Sequence, residues 1–330
     1  MITIIMEKRV IPMMNKSKTI LKMIGHELRL SLRSKWLLNF TILFMAMAAL
    51  FYFYGIKSIE ADPTDVKYGL ESVGVVDTGT VDPAYFGLEE ISSSDNVNDE
   101  VNQHVGYNRA IAMLMNLSLW LIPIICLILG ANSIIADKEG GRLSLYKTYQ
   151  MPYFYYLFSK FIALSTSLIA SLGISYGIFG VILSITGNAI EASFFLTFFL
   201  LNILLVITFS ALSLFVGAIS VTRMQGLSLA LFIWSFLVFV YEFIIFSVVD
   251  VIPYAQKLNS MLILILLNPI ESIRVWSIEQ LNADYIFGPE FLILNEWGTN
   301  GILTNYIMIS ILFMVLIVLF VSNQVIKVRG

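Results

Sequence analysis

Cysteine and histidine are scarce in this sequence, and the motif that binds nucleotide phosphates is absent. Cys126 is the only cysteine in 330 residues, which excludes a disulfide within the chain. The two histidines, His26 and His104, lie far apart, so we expect no metal site within one copy. The phosphate-binding pattern G-x-x-x-x-G-K-[ST] does not occur, so we expect the chain to bind no nucleotide itself. No set of residues suggests catalysis.

Charge is also scarce, at 13% of residues against about 25% in soluble domains. Apolar residues make up 58% of the chain, and the mean hydropathy is +0.83. The apolar residues fall into six long runs that meet or approach the ~20 residues needed for a membrane-spanning helix. A transmembrane β-barrel would instead alternate in segments of about ten residues. The sequence therefore predicts an all-α integral membrane protein with six transmembrane helices.

The opening residues hold too short an apolar stretch for a cleavable signal peptide, so we expect the first span to direct insertion. The predicted segments are, in order, 1–35 (cytoplasmic, with an amphipathic interfacial helix), 36–56 (first span), 57–110 (external acidic loop), 111–136 (second span), 137–156 (cytoplasmic coupling loop), 157–187 (third span), 192–222 (fourth span), 224–250 (fifth span), 251–300 (external re-entrant or interfacial helices), 302–326 (sixth span) and 327–330 (cytoplasmic tail).

The distribution of charge predicts the orientation of these spans. Residues 1–35 contain eight lysines and arginines against two acids, whereas residues 57–110 contain eleven acids against three such bases. Positive loops stay in the cytoplasm. Six spans then place both termini in the cytoplasm.

The segment before the first span has the pattern of an amphipathic helix. Its apolar and basic residues each recur at helical spacing, which favours a helix lying on anionic lipid. Nucleic-acid binding is disfavoured because no aromatic residues or motif accompany the bases. The two faces are Leu21, Ile24, Leu28 and Leu32, and Lys22, His26, Arg29 and Arg33.

A charged segment, residues 136–160, separates the second and third spans. Gly140 and Gly141 loosen the chain before it, Pro152 can open the next helix, and Leu143–Tyr149 has room for about two helical turns. A short charged helix in this position can bind a soluble subunit and be displaced when that subunit moves. A solvated loop that merely joins two helices fits the same residues.

Two other features of the later spans stand out. Gly173 and Gly177 form a G-x-x-x-G pattern, which predicts close helix packing. Glu242 lies about 12 Å from the outer end of the fifth span, because Asp250 follows it by eight residues. A carboxylate at this depth faces either a translocation path or a partner. Protonation, or reaching toward the interface beside Tyr241, is the alternative.

A helix start follows the fifth span. Asn268 is predicted as the N-cap, Pro269 as the first helical residue, and Glu271 as a residue that reaches back to the cap. Arg274 is spaced to form an exposed pair with Glu271. The preceding apolar stretch, Leu258–Leu267, is too short to cross the membrane, which indicates a re-entrant or interfacial segment.

The run from His104 to Ala163 resembles the second span, coupling loop and third span of ABC-2 type permeases, in particular the permease subunits of transporters that mature nitrous-oxide reductase. The matching positions are Asp137, Lys138, Glu139, Gly141, Leu143 and Ser159-Lys160, followed later by Asn268-Pro269, Arg274 and Gly288-Pro289. Arg142 stands where these proteins have Thr or Ser, and Pro152 comes about two residues late.

The resemblance implies a type V (ABC-2) exporter permease in the plasma membrane of a prokaryotic cell. It would work as a homodimer with two separate ABC ATPase subunits, which bind ATP and Mg²⁺. It also implies a periplasmic accessory protein and, as cargo, a sulfur species for periplasmic copper-cluster assembly. The expected coupling residues would be Asp137, Lys138, Glu139, Gly141, Arg142, Leu143, Tyr146 and Lys147, with Leu143 and Tyr146 as apolar plugs and Glu139 and Arg142 as a charged rim.

Two other classes of protein remain as alternatives. A secondary transporter or channel predicts inverted repeats and several buried charges, neither of which is evident. An intramembrane enzyme needs clustered acids, histidines or serines at membrane depth, where only Glu242 is found. Co-purification with an ATPase separates the permease from both alternatives.

Overall fold

The computed structural model describes residues 16–60, 99–143, 152–185, 192–281 and 302–329. Within these ranges every regular element is a helix. The elements are α1 (Lys16–Leu32), α2 (Lys35–Glu60), α3 (Asp99–Glu139), α4 (Tyr153–Ile185), α5 (Ala192–Ile219), α6 (Arg223–Ser235), a π-helical segment (Phe236–Val240), α7 (Tyr241–Val251), α8 (Tyr254–Leu267), α9 (Pro269–Leu281) and α10 (Ile302–Arg329).

Five of the described stretches are long and apolar enough to cross a membrane, namely those in α3, α4, α5, the continuous α6–α7 rod and α10. Two bent pairs of helices reach the same length and apolarity when each pair is taken together. These are α1 with α2, bent by 64°, and α8 with α9, bent by 116°. The described chain therefore holds five to seven candidate spans and is a multi-pass helical membrane protein.

Helices α3 and α5 form the centre of the bundle, and most of their surface is buried. Their backbones approach closely because small residues lie between them. A Cβ at Gly217 would lie 2.9 Å from Ile134 Cβ and 3.0 Å from the carbonyl oxygen of Ala131. The predicted close approach at Gly173 and Gly177 is confirmed only for Gly173, where a Cβ would lie 3.4 Å from Cζ of Phe199 in α5; a Cβ at Gly177 would meet nothing within 4 Å among the described residues. The sequence pattern occurs in α4, but the tight seam belongs to α3 and α5.

Helix α4 attaches α1 and α2 to this centre through a row of serines four residues apart. Ser167 Oγ accepts a hydrogen bond from Ser31 Oγ at 2.9 Å, and Ser171 Oγ lies 2.6 Å from Thr41 Oγ1. Ser175 Oγ donates to the backbone carbonyl of Thr41 at 3.0 Å. Residues at this spacing share one helical face, so the row fixes the side of α4 that meets the N-terminal helices.

The α6–α7 rod and α10 lie at the periphery, and most of their apolar surface is exposed. Phe243 and Leu312, for example, are 72% and 64% exposed. Side chains of this kind on a membrane helix meet lipid or another protein. One polar contact joins the rod to α3: Trp234 Nε1 donates to the carbonyl of Trp120 at 2.9 Å. Pro123 follows three residues later in α3, and because it has no N–H it cannot donate to the carbonyl of Leu119, which precedes Trp120.

Several predicted boundaries move in the structure. Helix α3 already begins at Asp99, inside the predicted external loop 57–110, and ends where Gly141 adopts the positive φ of 67° that favours glycine. Helix α4 begins at Tyr153, directly after Pro152. Most of the external loop, the coupling helix beyond Leu143 with Tyr146 and Lys147, and Gly288-Pro289 lie outside the described residues.

Candidate functional site

The end of the bundle where α3 ends and α4 begins holds a cluster of charged and polar side chains. We refer to this region as the α3–α4 end. The Lys160 cluster consists of Glu27 from α1, Ser133 and Asp137 from α3, Arg142 from the following loop, and Tyr156 and Lys160 from α4.

Lys160 lies at the centre of this cluster, and its side chain is only 4% exposed. Its Nζ lies 2.8 Å from Asp137 Oδ2, 3.1 Å from Glu27 Oε2 and 2.8 Å from Ser133 Oγ. An ammonium group has three N–H donors, so each donor has one of these oxygens as a partner. The ammonium also lies 5.4 Å from the centre of the Tyr156 ring. Lys160 therefore joins α1, α3 and α4 at a single point.

Asp137 balances Lys160 from the last turns of α3. Its side chain is 5% exposed. Besides Lys160, its Oδ2 accepts a hydrogen bond from Tyr156 Oη at 2.9 Å, while Oδ1 accepts one from Arg142 Nη1 at 3.2 Å. Two carboxylates face two cations, so the cluster is formally neutral. A buried ion pair persists only when its hydrogen bonds are complete in this way, because desolvation of a single charge costs several kcal/mol.

Lys138, the neighbour of Asp137, points to a different helix. Its Nζ donates to the carbonyl oxygens of Gly217 at 2.9 Å, Ala218 at 2.6 Å and Ser220 at 2.9 Å. These are the last carbonyls of α5, which lack partners within the helix and carry its negative dipole end. Asp137 and Lys138, adjacent in α3, thus bind α4 and α5 respectively. Because of this contact Lys138 is tied to the interior.

Glu139 and Arg142 remain accessible at the surface of the α3–α4 end. Glu139 Oε2 lies 2.8 Å from Arg223 Nε at the start of α6, and both side chains are substantially exposed. Arg142 is 61% exposed. Leu143, by contrast, is 4% exposed and packs in an apolar cluster with Tyr156 and Leu157. In the described residues Leu143 therefore packs inside this chain, and its predicted contact with an ATPase, as an apolar plug, stays a prediction.

An open cleft of about 220 Å³ lies beside the Lys160 cluster, between α1, α2, α3 and α4. Glu27, Asp137, Arg142 and Lys160 line its polar side, and Trp36 is among its apolar residues. The cleft opens to the outside of the protein beside a cluster that otherwise lies within apolar helices.

A second polar cluster lies toward the other end of the bundle, where α8 and α9 meet the α6–α7 rod. Asn268 occupies the bend between α8 and α9 and caps α9 as predicted, since its Oδ1 accepts the N–H of Ile270 at 3.0 Å. Glu271 does not reach back to the cap, however. The N–H of Asn268 instead donates to the carbonyl of Ile265 at 3.2 Å.

Arg274 forms the cationic centre of this second cluster. Its Nη1 lies 3.2 Å from both Glu271 Oε1 and Glu242 Oε2. The side chains of Arg274 and Glu271 are 6% and 1% exposed, so the prediction of an exposed pair is wrong. The α9 helix folds back onto α3, α5 and α10, and this packing buries the pair. Glu242 remains 38% exposed and has Arg274 as its partner.

Reading the sequence missed most of the Lys160 cluster. In the sequence Lys160 is recognisable as part of a motif, but a lysine within the predicted third span also requires a partner. Glu27 is one of only two acids among the first 35 residues, and it was counted merely against their positive charge. A search for opposite charges at the same membrane depth would have suggested the pairing. Tyr156 and Ser133 gave no signal of this kind.

Long apolar helices with polar clusters near their ends define a multi-pass membrane protein. The chain belongs to the family described as ABC-2 family transporter proteins, which it matches over residues 21–325. It is also similar to the "Probable ABC transporter permease protein NosY" of Stutzerimonas stutzeri, with 24% identity over 255 residues that cover 76% of this chain and 77% of that protein. Family membership identifies a transporter permease, not an enzyme, and implies an ABC ATPase partner in general.

Proposed function

We propose that the chain is the membrane subunit of an ATP-driven exporter and that its α3–α4 end receives the motion of a separate ATPase. The observation that carries this proposal is the Lys160 cluster. It joins the helices on both sides of the α3–α4 connection to α1, while Lys138 fixes the same turn of α3 to α5. Force applied at this connection would reach four helices directly.

The surface available to the ATPase is charged. Glu139, Arg142 and Arg223 lie together at the exposed edge of the α3–α4 end, whereas Asp137 and Lys138 are engaged inside the protein. We therefore assign docking to the first group and transmission to the second. This division refines the expectation that all the residues of the segment contact the partner.

The proposed orientation places the α3–α4 end in the cytoplasm, with six spans made by α2, α3, α4, α5, the α6–α7 rod and α10. Helix α1 would lie at the membrane surface before the 64° bend into α2. Leu21 and Leu32 are exposed on α1, as lipid contact requires, whereas Ile24 and Leu28 are half-buried. The bases Lys18, Lys22 and Arg29 are exposed as well. The excess of basic residues before the first span favours this orientation.

The complete transporter would contain two copies of this chain and two ATPase subunits that bind ATP and Mg²⁺. The resemblance to nitrous-oxide-reductase maturation permeases favours a sulfur species as cargo and a periplasmic accessory protein that receives it. Glu242, held by Arg274, is our candidate for the translocation path. A screen of sulfur compounds for stimulation of ATP hydrolysis by the reconstituted complex tests the cargo.

The docking proposal is tested by the double substitution Glu139→Ala, Arg142→Ala. We expect normal insertion but loss of transport and of ATPase stimulation in the complex. Lys327→Ala, at an exposed lysine near the end of α10, is the matched control and should couple normally. Normal coupling by the double variant, or transport by the purified chain without an ATPase, would contradict the proposal.

A further inference from the structure

The α6–α7 rod is interrupted by one π-helical segment, Phe236–Val240, between α6 and α7. The N–H of Tyr241 bonds to the carbonyl of Phe236, five residues earlier, instead of the usual four. Such a segment acts as a one-residue insertion in an α-helix and often occurs where function requires an altered register. Every side chain of α7 is consequently turned by about 100° from its place in an uninterrupted helix.

Asn268 holds this segment from the side. Its Oδ1 caps α9, and its Nδ2 donates at 2.8 Å to the carbonyl of Leu237, within the π segment. A side chain that bonds to a helical carbonyl in this way stabilises a local departure from the regular ladder. The same amide thus fixes the start of α9 and the irregular turn of the rod.

Two further contacts join the α8–α9 pair to the residues that follow the segment. Tyr241 Oη donates to the carbonyl of Leu264 at 2.8 Å, and Glu242 pairs with the buried Arg274 at 3.2 Å. These contacts and that of Asn268 all fall between residues 237 and 242. Residues 237–242 therefore determine both the attachment of the α8–α9 pair to the rod and the orientation of the α7 side chains.

We infer that Asn268 is a latch that keeps the rod in its π-helical register and so aims Glu242 at Arg274. Without the Asn268 amide, the regular α-helix becomes the more favourable arrangement of residues 236–240. This change rotates α7 by about 100° relative to α6. Glu242 then turns away from Arg274, which loses one of its two carboxylates, and the α8–α9 pair is released from the rod.

The test variant is Asn268→Ser, which retains an N-cap oxygen but is too short to reach Leu237. Spin labels are placed singly at positions 243 and 251 of the full chain in lipid, with Cys126→Ser removing the native thiol. Phe243 and Val251 are 72% and 86% exposed. When the π turn becomes α-helical, each side chain of α7 moves to the angular position that the next residue now has. Position 251 then lies on the face of Ile245, which is 4% exposed, whereas position 243 stays on the exposed face of the helix.

In Asn268→Ser we expect oxygen accessibility at 251 to fall by about half or more while that at 243 stays within error. Simple loosening would raise accessibility at both positions. Deletion of Val238 in the Asn268→Ser background removes the one residue by which the π segment exceeds a regular α-helix. The side chains of α7 then return to their original orientation relative to α6, so the oxygen accessibility at both labels should return to the values of the parent protein. Asn202→Ser, which removes an amide bonded to Phe198 O in α5, is the matched control and should change neither label.

Unchanged accessibility at 251 in Asn268→Ser, or failure of the Val238 deletion to restore it, would overturn the inference. The measurement needs neither ATPase nor cargo. Its outcome is therefore independent of the proposed transport function.

Discussion

Lys160 Nζ and Asp137 Oδ2 lie 2.8 Å apart, in side chains of which only 4% and 5% are exposed. This contact joins the end of α3 to the start of α4, on either side of the segment that we propose as the ATPase contact. Both ends of that segment are therefore anchored in the protein, and a displacement there moves helices as well as loop residues.

Replacement of Lys160 by Met should destabilise the protein strongly. Removal of one partner from a buried ion pair costs about 3–5 kcal/mol, because the remaining charge is left uncompensated. Here two carboxylates, those of Glu27 and Asp137, would remain. Thermal unfolding in detergent should show a clear drop in Tm. The triple variant Lys160→Met, Glu27→Gln, Asp137→Asn should recover much of this loss, and an equal Tm for Lys160→Met and the wild type would refute the role of the cluster.

Two glycine substitutions should have opposite effects. Gly217→Ala places a Cβ against Ile134 and the backbone of Ala131 in the tight α3–α5 seam, so it should lower Tm. Gly177→Ala meets nothing within 4 Å and should be neutral or stabilising, since alanine is favoured over glycine within helices by about 0.5–1 kcal/mol. The reverse order of Tm values would place the close contact elsewhere.

Lys138→Met should uncap the last turn of α5. A cation that bonds to the carbonyls at a helix C-terminus contributes up to about 2 kcal/mol when partly buried. We expect hydrogen exchange at Gly217 and Ala218 to accelerate, and ATPase stimulation in the assembled complex to weaken even under conditions where the protein stays folded. Lys138→Arg should retain part of both properties. Unaltered exchange at these amides in Lys138→Met would argue against the cap.

Exchange of charges between Glu139 and Arg223 should separate their mutual pairing from docking. The exposed pair contributes less than about 1 kcal/mol to stability, so Glu139→Arg and Arg223→Glu should leave Tm nearly unchanged. Each reversal should weaken coupling to the ATPase. If the ATPase contacts these charges, the double reversal should also couple poorly to the ATPase, although the ion pair between residues 139 and 223 is restored. Full recovery in the double reversal would assign the two residues to internal pairing alone.

The sequence identifies helices well and their contacts poorly. Long apolar runs locate the α3, α4, α5 and α10 helices, because a membrane imposes one length and one polarity on all spans. Because all spans are similarly apolar, the sequence does not show which faces of the helices pack against each other. Within the glycine pair that has the expected pattern, Gly173 meets only the ring of Phe199 and Gly177 meets nothing, whereas Gly217, without a second glycine four residues away, lies against the backbone of α3.

Candidate site residues divide in the same way. The cap at Asn268 is local, so three adjacent residues predict it. Its bond to Leu237 spans 31 residues and depends on a π turn that composition does not specify. Arg274 was expected at the surface because spacing within one helix does not reveal that α9 folds against three others. Pairings over long sequence distances require the fold itself.

The bond between Glu27 and Lys160 has a consequence for biosynthesis. These residues are 133 positions apart, so α1 emerges from the ribosome long before its anchor exists. During that interval the glutamate must stay hydrated near the membrane surface, and the first helix can still move. Insertion of α4 supplies the missing ammonium group. The nascent protein therefore completes this end of the bundle only after its third long helix has been made.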